Sequence, residues 1–394
     1  MSDLDRLRRL AGAAALVGYG ETPYSRSAPG TVEDTYVRVS LDAIADAGLT
    51  PRDIDGLLMP SYTALPPGVL EDFLDITPAY TGLVNVGGAS SASLVMTAAL
   101  MVASGVATNV LCVTARHDNS RSGRGGLALK NADERIATGY EALTEPYGWG
   151  SLTPPALYAM MARRYIERYG TLTSDHLAEV AITTRAHAAL NEHAQMRTPI
   201  TRAEYDSSRL IAEPFRLLDC CVITDGGAAV IVTTSERARD LRRTPVAIAG
   251  FAQGRPSRPG DLTNRLVIDE IGLERAAPVA YAMADMTPDG LDFAEIYDCF
   301  TYVVIKQLEI LGFCEPGEGG DYVMSGGLRL DGRLPTNTHG GLLSQGHMSG
   351  MNHIVEAVRQ LRGDAGRAQV ADAHAGVVTG FGDLGDAAML VLTS

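Results

Sequence analysis

The chain has 394 residues, 46% of them hydrophobic and 20% charged, a globular composition that excludes a disordered, collagen-like or disulfide-built protein. Its 33 Lys and Arg against 47 Asp and Glu leave a net charge of −14. Such a surface repels phosphate backbones, which excludes nucleic-acid binding as a main function.

The five cysteines (Cys112, Cys220, Cys221, Cys299, Cys314) form no CxxC pair, and the opening MSDLDRLRRLAGAAAL lacks the pattern of a secretory leader. Together these predict a reducing, cytoplasmic setting. In chain order, Ala14–Tyr19 reads as a short buried strand. Thr31-Val-Glu-Asp opens a capped helix with Val37, Leu41 and Ile44 on one face and Gly48 as its stop. Ile54–Met59 is a second strand. Val84-Asn-Val-Gly-Gly leads into a small-residue helix over Ala89–Ser104, and Asn109–Thr114 is a third strand. No charged residue falls between Ile76 and Ala115, but the stretch is broken by glycines and rich in Ser, Thr and Ala. That predicts buried helix and strand rather than a membrane span. The βαβ rhythm predicts a largely parallel sheet covered on both faces. Residues of about 116–210 are polar and interrupted by Pro146, Pro154, Pro155 and Pro199, as in an inserted helical and loop layer.

The chain then echoes itself. GGAAVIVTTS (Gly226–Ser235) and GDAAMLVLTS (Gly385–Ser394) agree at six of ten positions, and Val246–Phe251 parallels Ala14–Tyr19. A duplicated α/β core follows, with halves over 1–240 and 241–394.

Three segments carry more chemistry than packing requires. Asn85-Val-Gly-Gly-Ala-Ser-Ser joins a strand to a buried helix, where glycines admit a ligand and a helix start offers free N–H groups. Glu295-Ile-Tyr-Asp-Cys-Phe-Thr ends a strand in a polar pair, the place where open α/β sheets bind ligands. The Gly-rich run Leu334–His353 holds His339, His347, His353, Asn337 and Asn352 without the Cys neighbours or helical spacing of a zinc site.

The ordered set NVGGAS, LLDCC, DGGAAV, EIYDCF, LGFCEPGEGG, LPTNTHGG, GH, QLRG and AGRAQV resembles the thiolase superfamily over nearly the whole chain, in its sterol-carrier-protein and lipid-transfer branch. The resemblance implies an α/β, duplicated, five-layered αβαβα fold and a dimer. It also exposes departures. Gly88 stands where the family has its nucleophilic Cys, no Cys follows Cys314, and Tyr297 replaces a family histidine. The GH histidine is His347. Without a thiolate no covalent acyl-enzyme forms, so ordinary thiolysis is excluded. Ser90 and Ser91 lie close by but lack an evident base.

The chain most resembles the Cys-less thiolase-like aldolases that shorten steroid side chains as CoA thioesters. This implies retro-aldol cleavage of a β-hydroxyacyl-CoA, with no cofactor beyond the CoA of the substrate and no metal. It also implies a small OB-fold, zinc-ribbon accessory protein. Tyr297 is the first candidate acid/base, and His347 the base or an enolate donor. Asp298 tunes either group or caps the helix that follows. Gly88 and Gly350 are candidates for contact with the thioester oxygen, and Asn337 and His339 either hold the thioester carbonyl or stitch the loop. Cys299 reads as structural, His117 and Tyr147-Gly-Trp149 as acyl-pocket candidates, and Arg163, Arg164 and Arg216 as candidates for CoA phosphates. A non-catalytic thiolase-fold subunit and a Cys-independent acyltransferase are the rival readings.

Overall fold

The computed structural model describes residues 7–63, 65–122, 154–259, 262, 264–382 and 385–394. Eleven strands run in chain order: β1 (Ala14–Glu21), β2 (Gly56–Pro60), β3 (Tyr80–Val84), β4 (Asn109–His117), β5 (Leu210–Ala212), β6 (Phe215–Arg216), β7 (Asp225–Thr234), β8 (Val246–Gly254), β9 (Phe293–Glu295), β10 (Ala375–Phe381) and β11 (Ala387–Thr393). The helices that matter here are α1 (Val32–Asp46), α2 (Ser90–Ser104), α3 (Pro154–Tyr169), α4 (Ser174–Ala188), α5 (Leu273–Ala284), α6 (Thr301–Ile310) and α7 (Met351–Arg362).

Nine strands are ordered β3-β2-β4-β7-β1-β8-β11-β10-β9, and β5 and β6 form a separate pair. The order is a palindrome in role. The echoed strands β1 and β8 meet antiparallel at the centre through Ala15↔Ala247 and Leu16↔Val246, with the other echoed pair, β7 and β11, flanking them. Period-two alternation assigns each strand face. Ala228, Val230 and Val232 of β7 and Ala388, Leu390 and Leu392 of β11 enter one shared core with α2 and α7. Ala229 and Ile231 face α1 in a second core, and Met389 and Val391 face α5 in a third. The succession α1, half-sheet, α2 with α7, half-sheet, α5 is the expected five-layered αβαβα arrangement.

Two local expectations are corrected. The sheet is mixed: β2 pairs in parallel with β3 and β4, and β9 with β10, whereas the other five ladders are antiparallel. The chain leaves β4 at His117 and returns into β7 opposite it at Asp225, so the inserted region is an excursion at one sheet end and the returning strand must run the other way. On α1, Leu41 is exposed and Val37 half-buried, whereas Ile44 is buried as expected, together with Tyr36, Val39, Ser40 and Ala43. The small residues face inward because β1 lies unusually close: a Cβ on Gly18 would sit 2.2 Å from the Ala43 carbonyl. The second half repeats this, with Gly250 against the Ala280 carbonyl of α5.

The segment Gly87–Ser104, made up mostly of α2, is long and apolar enough to cross a membrane by length and composition, but α2 occupies the central layer between the half-sheets. The described part of the inserted region, α3 and α4, packs on the second half of the chain: Leu157, Tyr165, Leu177 and Val180 share a core with α5, α6 and β10.

Candidate active site

The carboxyl ends of β3, β9 and β10 bring the three chemistry-bearing segments together. After β3, Val86 to Gly88 form a tight turn into α2. The Val86 N–H donates to Ser90 Oγ at 3.0 Å, so Ser90 fastens the turn and its oxygen is engaged. The end of β10 presses on this turn, and Gly380 and Gly382 permit it: a Cβ on either would reach the backbone of Ala89 or Val86 within 2.7 Å.

Gly88 has no room for a side chain. A Cβ there would lie 2.1 Å from the Tyr297 hydroxyl and 2.4 Å from the Phe381 carbonyl. The space that a family thiolate would fill is therefore held by the phenol of Tyr297. On its other side the ring lies against Gly350, whose Cβ position is 3.3 Å from Tyr297 Cδ2. Gly350 is also left-handed, at φ +84°. Tyr297 is buried, its N–H donating to Thr379 Oγ1 and its carbonyl accepting from Gln307.

Tyr297 Oη lies 3.3 Å from His347 Nε2. Burial, and after it the Arg116 guanidinium, hold His347 well below the ordinary histidine value, so the imidazole is uncharged at neutral pH. Gly88, Tyr297, His347 and Gly350 thus form one cluster. Arg116, at the end of β4, carries no sequence signal of its own, because an arginine closing an apolar strand has no motif around it. Its charge reaches both Tyr297 and His347.

The remaining candidates support this cluster without joining it. The Asn337 side chain accepts from the Ile296 N–H at 2.7 Å and donates to the Ile296 carbonyl at 2.8 Å. Its amide is spent on holding the Gly-rich loop to β9, the loop-stitching one of its two readings. Asp298 accepts the Leu342 and Leu343 N–H groups and lies 3.2 Å from His353 Nε2. It does not cap α6, whose N-cap residue is Phe300; it pins the loop. His339 is fully enclosed, with Nδ1 2.8 Å from Glu295 Oε2 and its ring edge-on to His353 at 4.8 Å. Burial lowers His339 and pushes the Glu295 carboxyl up to about 8. His339 therefore belongs to a buried polar layer beneath the site.

His117 turns to the far face and meets Thr35 Oγ1 at 2.9 Å, a packing role rather than a place in an acyl pocket. Ser91 is buried. Cys299 is buried, its carbonyl accepting from the Cys221 N–H, and burial drives the Cys221 thiol up to about 12. Arg163 pairs with Glu213, Arg164 with Glu167, and Arg216 donates to the Ser208 carbonyl. Tyr147 and Trp149 lie outside the described residues.

Residues 261–394 match the model of the thiolase C-terminal domain-like family. A steroid side-chain-cleaving aldolase of Thermomonospora curvata is 39% identical over 90% of this chain and 91% of its own. A 17-hydroxy-3-oxo-4-pregnene-20-carboxyl-CoA lyase of Mycobacterium tuberculosis is 37% identical over 95% and 97%. The solved structure of an Ltp2–ChsH2(DUF35) aldolase superposes with a TM-score of 0.89 at 37% identity, covering 98% of each chain. The chain belongs to the thiolase superfamily, in the branch that holds the sterol-carrier-protein thiolases and the steroid side-chain-cleaving aldolases.

Proposed function

We propose that this protein is a carbon–carbon lyase that cleaves a β-hydroxyacyl-CoA by retro-aldol reaction, with a steroid side chain as the acyl group. The observation that carries the reading is Tyr297: its hydroxyl fills the nucleophile's place above Gly88 and lies 3.3 Å from His347. A site built this way cannot acylate itself, but it can move a proton. Tyr297, as a phenolate hydrogen-bonded to the uncharged His347, takes the proton of the substrate's β-hydroxyl. The Cα–Cβ bond breaks as that oxygen becomes a carbonyl, and the bonding pair becomes the enolate of the departing acyl-CoA. The enolate oxygen needs hydrogen-bond donors, and Cα then takes up the proton that Tyr297 accepted, which gives the shortened thioester and restores the phenolate. No oxidant, reductant, metal or further cofactor enters this balance. The names of the two relatives support the reaction class and the substrate class.

The experiment is incubation with a β-hydroxyacyl-CoA bearing a tertiary alcohol, followed by mass spectrometry. A ketone and a shortened acyl-CoA in equal amounts are expected, and unchanged substrate in the presence of any accessory protein overturns the reading. A small OB-fold, zinc-ribbon accessory chain is part of the proposal, supported by the two-protein name of the superposing aldolase. So is a homodimer joined through β3, an uncharged edge strand on which Tyr80 and Leu83 are exposed.

A further inference from the structure

Arg116 sits one residue from the end of β4, opposite Gly226 of β7. Three contacts hold its guanidinium. Nε lies 2.5 Å from the Asp118 carboxylate, Nη1 donates to Ser349 Oγ at 3.2 Å, and the group stands over the Tyr62 ring at 5.5 Å. Ser349 precedes Gly350, which packs on the Tyr297 ring, so the same contact that fixes Arg116 also fixes the loop against Tyr297. Burial works against the Arg116 charge, but Asp118, Tyr62 and Tyr297 outweigh it and the guanidinium stays protonated.

We propose that Arg116, held on Ser349 next to the Gly350 that packs on the Tyr297 ring, is a positioning residue that sets where the proton of the Tyr297–His347 pair resides. This rests on the reading that Tyr297 and His347 carry the proton transfer. A fixed cation near a phenol and an imidazole stabilises the anion of the first and opposes the cation of the second. The charged and titratable groups facing the pair divide by element. Arg116 and Asp118 come from β4 and its end, and Tyr62 from the turn after β2. Asp298 follows β9, and His353 belongs to α7, its ring 6.2 Å from that of Tyr297. The two carboxylates oppose Arg116, Asp118 as its direct partner and Asp298 while also bonded to the loop amides.

The test is a phenolate difference titration of the full chain, with Tyr297→Phe subtracted so that one tyrosine is followed, together with the pH profile of kcat. Arg116→Gln should move Tyr297 ionisation up by about one to three pH units, and the acid limb of kcat should move with it while KM changes less. Arg116→Lys should restore most of the shift. Asp118→Asn, which keeps Arg116 and removes its counter-charge, should move the ionisation down. Ser349→Ala, which removes the loop contact and keeps the charge, should leave it in place. An unmoved titration in Arg116→Gln, or the full effect in Ser349→Ala, overturns the proposal. The titration needs no turnover, so a protein that cleaves no β-hydroxyacyl-CoA defeats the functional reading while Arg116 is still decided by the spectra.

Discussion

Replacing Gly88 with alanine tests the site with a single methyl group. The new Cβ meets a phenol on one side and a main-chain carbonyl on the other, and only the phenol can swing away. Overpacking of this kind costs about 1–3 kcal/mol. Gly88→Ala should lower the denaturation midpoint and abolish cleavage together, because Tyr297 is expelled from its place. Gly88→Cys should behave alike and gain no thiolysis; intact-protein mass spectrometry after substrate addition should show no acyl adduct on any cysteine. Loss of one acid/base group costs about 10²- to 10⁴-fold in rate. Tyr297→Phe and His347→Ala should each fall by that much in kcat with thermal midpoints nearly unchanged. Gly88 and Tyr297 were legible in the sequence as two separate departures from a family pattern. That they are one substitution, a phenol exchanged for a thiol in the same space, follows only from the turns after β3 and β9 meeting at Gly88 and Tyr297.

The run from Leu334 to His353 illustrates the element scale. Crowded histidines and asparagines marked it as functional, yet most of that polarity is consumed in holding it down. Asn337 imitates a neighbouring strand, satisfying both backbone groups of Ile296, and Asp298 collects two loop amides that face no other partner strand. A buried group left without its partner costs about 1–3 kcal/mol. Asp298→Ala should therefore destabilise the fold by at least that amount in urea titration and lower kcat through misplacement of His347. Asn337→Ala should do the same more mildly. If Asp298→Ala left stability intact while abolishing activity, Asp298 would be a catalytic residue rather than a pin. Sequence spacing distinguished neither case, because a polar residue that builds a loop and one that faces a substrate have the same composition. Only the donors and acceptors around each residue separate them.

At the scale of the whole molecule, one buried cluster joins the first strand to the last large helix. Glu21 at the end of β1 meets Arg359 of α7 at 2.7 Å and accepts from Tyr24 and Gln345. Burial works to raise the Glu21 carboxyl, yet Arg359 and the hydrogen bonds bring it from 4.5 down to about 2. Its contribution is complete above the unfolded value of 4.5 and is lost as pH falls from there toward about 2, and it amounts to about 3 kcal/mol. Wild-type stability should fall steeply across that window, and Glu21→Gln should flatten the fall. Arg359→Met leaves the carboxylate buried without its cation, at a cost of about 3–5 kcal/mol at pH 7. Light scattering at micromolar protein should give twice the chain mass, and charged residues at Tyr80 and Leu83 should halve it. The duplication was readable from ten-residue echoes because β7 and β11 are buried on both faces and tolerate little but apolar residues. The mixed strand directions were not, because they depend on which end of the sheet an insertion occupies, and composition says nothing of that.

The two borders of the nine-stranded sheet are unequal. Beyond β9 the backbone of Pro335 to Asn337 already lies alongside, with Ala294 bonded to both and Thr336 bridged to it, so that border is stoppered from within. Beyond β3 the described residues add no strand. A sheet bare on both sides can add neighbours without end and grow into a fibre. One bare on a single side is a plug with one prong: once two copies have met there, nothing is left on which a third could seat. In the proposed dimer through β3, the loop that carries Asn337 to its bond with Ile296 thus also closes the opposite border, so that assembly through this sheet ends at a pair.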